Sequence, residues 1–119
     1  MRKILAKHHV VELEGVSPRL SDDPGVVGRA LRRLCADAVL HVVNRVRHEF
    51  TPHGLTVLFV LRESHLAYSS WPERRYAILD LFLCSAPTGL AQALSGFARA
   101  VGAKRVRVRR FPVGPVSGR

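Results

Sequence analysis

Leu55-Thr56-Val57-Leu58-Phe59-Val60-Leu61-Arg62 is the most strand-like run of the chain, apolar on both faces and rich in β-branched and aromatic side chains. A run of this kind belongs in a sheet interior. Before it stands Thr51-Pro52-His53-Gly54, a turn by composition. After it comes Glu63-Ser64-His65-Leu66-Ala67-Tyr68-Ser69-Ser70, closed by a second turn at Trp71-Pro72-Glu73-Arg74-Arg75. Tyr76-Ala77-Ile78-Leu79-Asp80-Leu81-Phe82-Leu83-Cys84 reads as another strand, with Asp80 as its one buried-looking acid.

Working outward, Lys7 to Val16 is a strand that mixes Val10, Val11 and Leu13 with His8, His9, Glu12 and Glu14. Asp23 and Pro24 make a helix start, the aspartate capping free amides and the proline suiting the first helical position. Val27, Ala30, Leu31, Leu34, Cys35 and Ala38 follow at helical spacing. Rising β-branched content from Val39 to Phe50 predicts a change to strand. Pro87-Thr88-Gly89 opens a second helix, with Leu90, Ala93, Leu94, Phe97 and Val101 on one face and Gly102 as its stop. Lys104 to Arg110 alternates valine with arginine, a strand with valines inward and cations outward. Phe111 to Arg119, with two prolines and two glycines, reads as a loose tail. The order strand, helix, several strands, helix, strand predicts an α+β two-layer sandwich with two helices on one face of a mainly antiparallel sheet.

At 119 residues the chain is one domain, 1–119, and its 47% hydrophobic and 24% charged residues are ordinary for a globular protein. No apolar run approaches a membrane span, and the N-terminus carries charge without an apolar signal region, so the cytoplasm is the default location. Cys35 and Cys84 have no metal-ligand spacing, no metal is implied, and Cys35 falls on the buried helix stripe. The net charge of +10 raises nucleic-acid binding through Lys104, Arg105, Arg107, Arg109 and Arg110. Scarce aromatics for base stacking and the lack of a helix-turn-helix argue against it, and edge-strand arginines also prevent aggregation.

Glu63, Ser64 and His65 are a carboxylate, a hydroxyl and an imidazole in a row. They are not a hydrolase triad, because neighbours on an extended chain point to opposite faces. The stretch resembles the self-cleavage segment of prokaryotic S-adenosylmethionine decarboxylase proenzymes. Four blocks carry the resemblance in order: His48-Glu49-Phe50-Thr51-Pro52-His53-Gly54, Glu63-Ser64-His65, Trp71-Pro72-Glu73 at the correct gap, and Tyr76-Ala77 with Asp80, Phe82 and Cys84. His8 and Glu12 match a further histidine and acid near the family's N-terminus.

The resemblance implies a proenzyme that cuts itself between Glu63 and Ser64, the serine becoming a pyruvoyl cofactor. The new keto group would hold the substrate's α-amine as a Schiff base and accept electrons as carbon dioxide leaves. Cys84 matches the cysteine that returns a proton to the α-carbon; read alone, it is a buried small hydrophobe at a strand end. Phe50 matches an aromatic that stacks on adenine, and Trp71 and Glu73 fit substrate binding. The family implies a homodimer of cleaved protomers, with sites near the interface and an amine-bearing small molecule as substrate, in polyamine biosynthesis.

Two departures fall at the chemistry. The family usually has a histidine where this chain has Ser69, and a serine where it has Thr56; both assist self-cleavage. Threonine keeps a hydroxyl, whereas serine is no base near neutral pH. Another imidazole, His65, His53 or His48, takes over the task; or the pocket around Tyr68, Ser69 and Ser70 is rebuilt for ornithine or arginine; or the chain stays uncut and inactive. Decarboxylation of S-adenosylmethionine ranks first among these readings.

Overall fold

A computed structural model describes residues 3–116. Six strands form one sheet: β1 Ala6–Glu14, β2 Val42–Glu49, β3 Leu55–Leu61, β4 Ser64–Trp71, β5 Tyr76–Leu83 and β6 Arg105–Val113. Their order is β2-β3-β4-β5-β1-β6, and every neighbouring pair is antiparallel. Three helices join it: α1 Pro18–Ser21, α2 Pro24–Asp37 and α3 Leu90–Ala100. The fold is the two-layer α+β sandwich that the sequence predicts, with the short α1 added. No helix among the described residues is long and apolar enough to cross a membrane.

Period-2 patterning fixes which way the sheet faces. Val11, Leu13, Leu55, Val57, Phe59, Leu66, Tyr68, Leu79 and Leu81 turn to the helices and are buried. Against them α2 sets Val27, Leu31, Leu34 and Cys35, and α3 sets Ala93, Leu94 and Phe97. Each fully buried leucine there contributes about 1.5–3 kcal/mol relative to an exposed one. Asp23 caps α2 as its sequence implies, its Oδ1 accepting from the amides of Gly25 and Val26 at 2.8 and 3.1 Å.

The opposite sheet face carries no helix. Thr56, Leu58 and Val60 of β3, Ser69 and Trp71 of β4, and Phe111 of β6 point to it, with Leu58, Val60, Trp71 and Phe111 exposed. β3 is therefore inside the sheet, but only one of its faces is buried within the protomer. Asp80 corrects in the same way: its side chain is 39% exposed on this face and pairs with His8 Nε2 at 3.2 Å.

The segment from Phe111 is not a loose tail. β6 continues to Val113, pairing Phe111 with His8 and Val113 with Ala6, and the Lys3 and Leu5 amides donate to the Pro115 and Val113 carbonyls. Pro112 is tolerated because β6 is an edge strand. At Gly114 a Cβ would sit 1.8 Å from the Lys3 carbonyl oxygen, so only glycine admits this approach. Residues 117–119 of the predicted tail lie outside the described residues.

Candidate active site

β3 and β4 form a hairpin with a two-residue loop, Arg62-Glu63, closed by the pair Leu61 and Ser64. Ser64 is the first residue of β4 and has φ +130°, a conformation that side-chain-bearing residues rarely adopt. Backbone strain is therefore concentrated at the residue that follows the Glu63–Ser64 peptide bond. The carbonyl of that bond is itself held, because the Cys84 amide donates to the Glu63 oxygen at 2.9 Å. A donor fixed on a carbonyl stabilises the negative charge that builds there when a nucleophile adds.

The side chains of the three consecutive residues part as follows. Ser64 Oγ lies 3.1 Å from His65 Nδ1, so hydroxyl and imidazole do meet despite their adjacency, the unusual φ having broken the strand's alternation. The His65 ring is stacked on Phe82 at 5.5 Å between centroids with an 8° interplanar angle. The Glu63 carboxylate turns elsewhere and no triad forms. Its Oε1 accepts from the His41 amide at 3.0 Å, and its Oε2 is 2.6 Å from His41 Nδ1. Burial alone would raise the Glu63 carboxyl, but the His41 hydrogen bonds outweigh it and hold the group below its ordinary value. Nothing in the sequence reading picked out His41, which is 22 positions from Glu63.

Cys84 is exposed at the end of β5, beside the strained bond. Cys35 is buried in the core, as its place on the apolar stripe predicts, and burial pushes its thiol up to about 11. The two thiols are thus unlike in reactivity, and only Cys84 is accessible.

The remaining site residues gather at the other end of β4. Phe50, His53, Thr56, Ser69, Trp71 and Glu73 line a cavity of about 300 Å³. Thr56 Oγ1 and Ser69 Oγ are 2.9 Å apart across the β3–β4 pair. His53 Nδ1 is 3.2 Å from Glu73 Oε1, so an imidazole does border the position where Ser69 stands. Ser69 follows Ser64 by five residues, which on a strand is roughly 17 Å. Within one protomer, then, Thr56 and Ser69 do not reach the Glu63–Ser64 bond.

Tyr68 and Ser70 do not form a rebuilt pocket. Tyr68 is fully buried and donates to the Ser21 carbonyl at 2.5 Å. Ser70 borders the cavity, but its hydroxyl accepts from the Leu55 amide at 3.1 Å and donates to Asp22 at 3.0 Å. Of the three only Ser69 presents a side chain to the open face. The arginine strand has partners of its own: Arg105 pairs with Glu14 at 3.2 Å, Arg107 with Glu14 at 3.3 Å and Arg109 with Glu12 at 3.1 Å. Three of the five cations considered for phosphate binding are thus already engaged across β1 and β6.

Comparison with known proteins agrees with the resemblance seen in the sequence. The family model described as S-adenosylmethionine decarboxylase matches residues 7–114. A protein of Parasynechococcus marenigrum (strain WH8102) named S-adenosylmethionine decarboxylase proenzyme is 32% identical over 108 residues, covering 91% of this chain and 84% of its own length. One of the same name from Thermotoga petrophila is 30% identical over 106 residues, with 89% and 82% covered. The crystal structure of the adenosylmethionine decarboxylase from Aquifex aeolicus superposes with a TM-score of 0.83 at 26% identity, covering 98% of this chain and 97% of that one. The chain belongs to the S-adenosylmethionine decarboxylase family.

Proposed function

We propose that the chain is a self-cleaving proenzyme that becomes a pyruvoyl-dependent decarboxylase of S-adenosylmethionine in polyamine biosynthesis. The observation that carries the reading is the Glu63–Ser64 bond: a strained serine with its hydroxyl on an imidazole, preceded by a carbonyl already held by an amide donor. Ser64 Oγ adds to the Glu63 carbonyl carbon as His65 Nδ1 accepts its proton, and the Cys84 N–H steadies the oxyanion. Collapse breaks the C–N bond, leaving Glu63 as an ester on Ser64 with a free α-amine. Loss of the Ser64 α-proton and departure of Glu63 as a carboxylate create a carbon–carbon double bond. After tautomerisation, water replaces the nitrogen and ammonia leaves. One water is consumed, one ammonia is released and the pyruvoyl group caps the new chain.

That group supplies a carbonyl electrophile and an electron sink for substrates bearing an α-amine. Cys84, exposed beside it, is the proton donor to the substrate's α-carbon. Phe50 and Trp71 border the cavity with flat rings suited to an adenine and a sulfonium, and Glu73 can accept from a ribose hydroxyl.

The two halves of this machinery, one at each end of β4, support a homodimer. A twofold axis crossing β4 between two sheets packed on their helix-free faces lays the Ser64 end of one protomer over the Ser69 end of its partner. Leu58, Val60 and Phe111, exposed on that face, would then be covered.

Intact mass under denaturing conditions tests the reading. Two fragments, 1–63 and 64–119, with the second lighter than its plain sequence by one ammonia, are the expected result, followed by release of carbon dioxide from S-adenosylmethionine rather than from ornithine or arginine. A single whole chain matching Ser64→Ala would overturn it.

A further inference from the structure

His41 lies between α2 and β2, in a connector that the core holds rigidly. Leu40, just before it, is buried, and its amide donates to the Cys35 carbonyl at 2.7 Å. Val42, just after it, is in register with Leu61. From this fixed point His41 makes three hydrogen bonds to the two residues of the hairpin loop. The Arg62 amide donates to the His41 carbonyl at 2.9 Å, the His41 amide donates to Glu63 Oε1 at 3.0 Å, and Nδ1 faces Glu63 Oε2 at 2.6 Å. An ionised carboxylate only accepts, so Nδ1 carries the proton in this pair. Glu63 is only 15% exposed, although it sits in a two-residue loop at the end of a hairpin.

We infer that His41 is a positioning residue for self-cleavage, gripping the Glu63 side chain so that the Glu63 carbonyl is presented to Ser64 and to the Cys84 amide. This inference rests on the self-cleavage reading above and adds a residue to it. The physical reason is economy of freedom. A loop of two residues has few torsions, and with the Arg62 amide and both Glu63 carboxylate oxygens anchored, the remaining one that turns the Glu63 carbonyl is held by Cys84. Loss of the imidazole leaves the carboxylate one bond from His41, and the Cys84 amide then holds the carbonyl without the side-chain grip that fixes the loop beneath it. Misplacement by about 1 Å at a reacting centre costs on the order of a hundredfold in rate.

The test follows cutting of the full chain over time by intact mass after cell-free synthesis. His41→Ala is expected to slow the appearance of fragments 1–63 and 64–119 by tenfold or more. His41→Asn, whose side-chain amide places a donor near the Nδ1 position, is expected to recover most of that rate. Thermal unfolding of His41→Ala in a Ser64→Ala background is expected to match Ser64→Ala alone, since the ring is 52% exposed. Cutting of His41→Ala at the wild-type rate would overturn the inference and leave self-cleavage standing. Equal slowing in both variants with a matching loss of thermal stability would overturn it too, by reducing His41 to a fold residue. A wild-type chain that stays whole overturns self-cleavage itself and the inference with it.

Discussion

The main-chain amide of Cys84 donates to the main-chain carbonyl of Glu63 at 2.9 Å, across the gap between the end of β5 and the β3–β4 loop. Cys84 therefore has two separable parts, an amide on the scissile carbonyl and an exposed thiol. Cys84→Ala keeps the amide, so cutting is expected near the wild-type rate, while decarboxylation falls by about a hundredfold or more, the usual loss for a general acid. Cys84→Pro removes the amide hydrogen and is expected to leave most of the chain uncut. Intact mass reads the first step and carbon dioxide release the second. Iodoacetamide should add once, at Cys84, and abolish turnover, because Cys35 is buried with its thiol pushed up to about 11.

Tyr68 anchors β4 to the helical layer through its hydroxyl on the Ser21 carbonyl, and burial, aided by Asp22, raises that hydroxyl well above its ordinary value. Tyr68→Phe leaves the Ser21 carbonyl buried and without this donor. Thermal or urea unfolding is expected to show a loss of about 1–3 kcal/mol, the cost of an orphaned buried polar group. Cutting should be unaffected, since the ring that packs edge-on against Phe97 at 5.6 Å is retained.

Much of this architecture is legible because local signals and tertiary packing agree. The Asp23-Pro24 start of α2, the Gly89 start of α3 and the alternation of β5 each state one preference, and the structure follows it. α1 escaped because it is four residues long, although Ser17 and Pro18 carry a cap signal of the same kind. The extension of β6 escaped because Pro112 and Gly114 read as breakers, and their tolerance depends on an edge position that only the sheet order reveals. The site divides in the same manner. The Glu63-Ser64-His65 motif is contiguous and could be read directly, whereas His41 meets Glu63 only through the register of β2 on β3. The separation of Ser64 from Ser69 follows from β4 being one unbroken strand, which the run from Ser64 to Ser70, poor in alternating apolar residues, did not announce.

His9 is buried on the helix side of β1, and its Nδ1 has no hydrogen-bond partner. Burial first, then the charges of Arg110 and Lys7 and the neighbouring His8, lower its pKa below the ordinary value of 6.5. The folded state therefore binds this proton less well than the unfolded state does. Stability from His9 is fully present above about pH 6.5 and is lost as pH falls below that value toward the folded pKa. Unfolding midpoints measured in a Ser64→Ala background at pH 7.5 and 5.5 are expected to drop on acidification. His9→Leu is expected to reduce the drop, and an equal drop in both proteins would assign it to other groups.

Thr56 and Ser69 stand roughly 17 Å from Ser64 along β4, so hybrid dimers separate a composite site from one completed within a protomer. In a dimer of Ser64→Ala with a Thr56→Ala, Ser69→Ala partner, one site joins the partner's intact Ser64 to the intact Thr56 and Ser69 of the first chain. The other site lacks both contributions. Homodimers of the Thr56→Ala, Ser69→Ala protein should cut slowly, by about tenfold or more, because the hydroxyl pair that bonds at 2.9 Å is gone. Co-expression with Ser64→Ala should restore cutting of the double variant alone, up to the fraction of chains present in hybrids. Mass distinguishes the two chains, so the rescued fragment identifies its parent. Rescue would place the Thr56–Ser69 pair across the interface from the Ser64 it serves. A double variant that cuts equally slowly with or without its partner would mean that any help from Thr56 and Ser69 travels within the protomer, against the twofold arrangement.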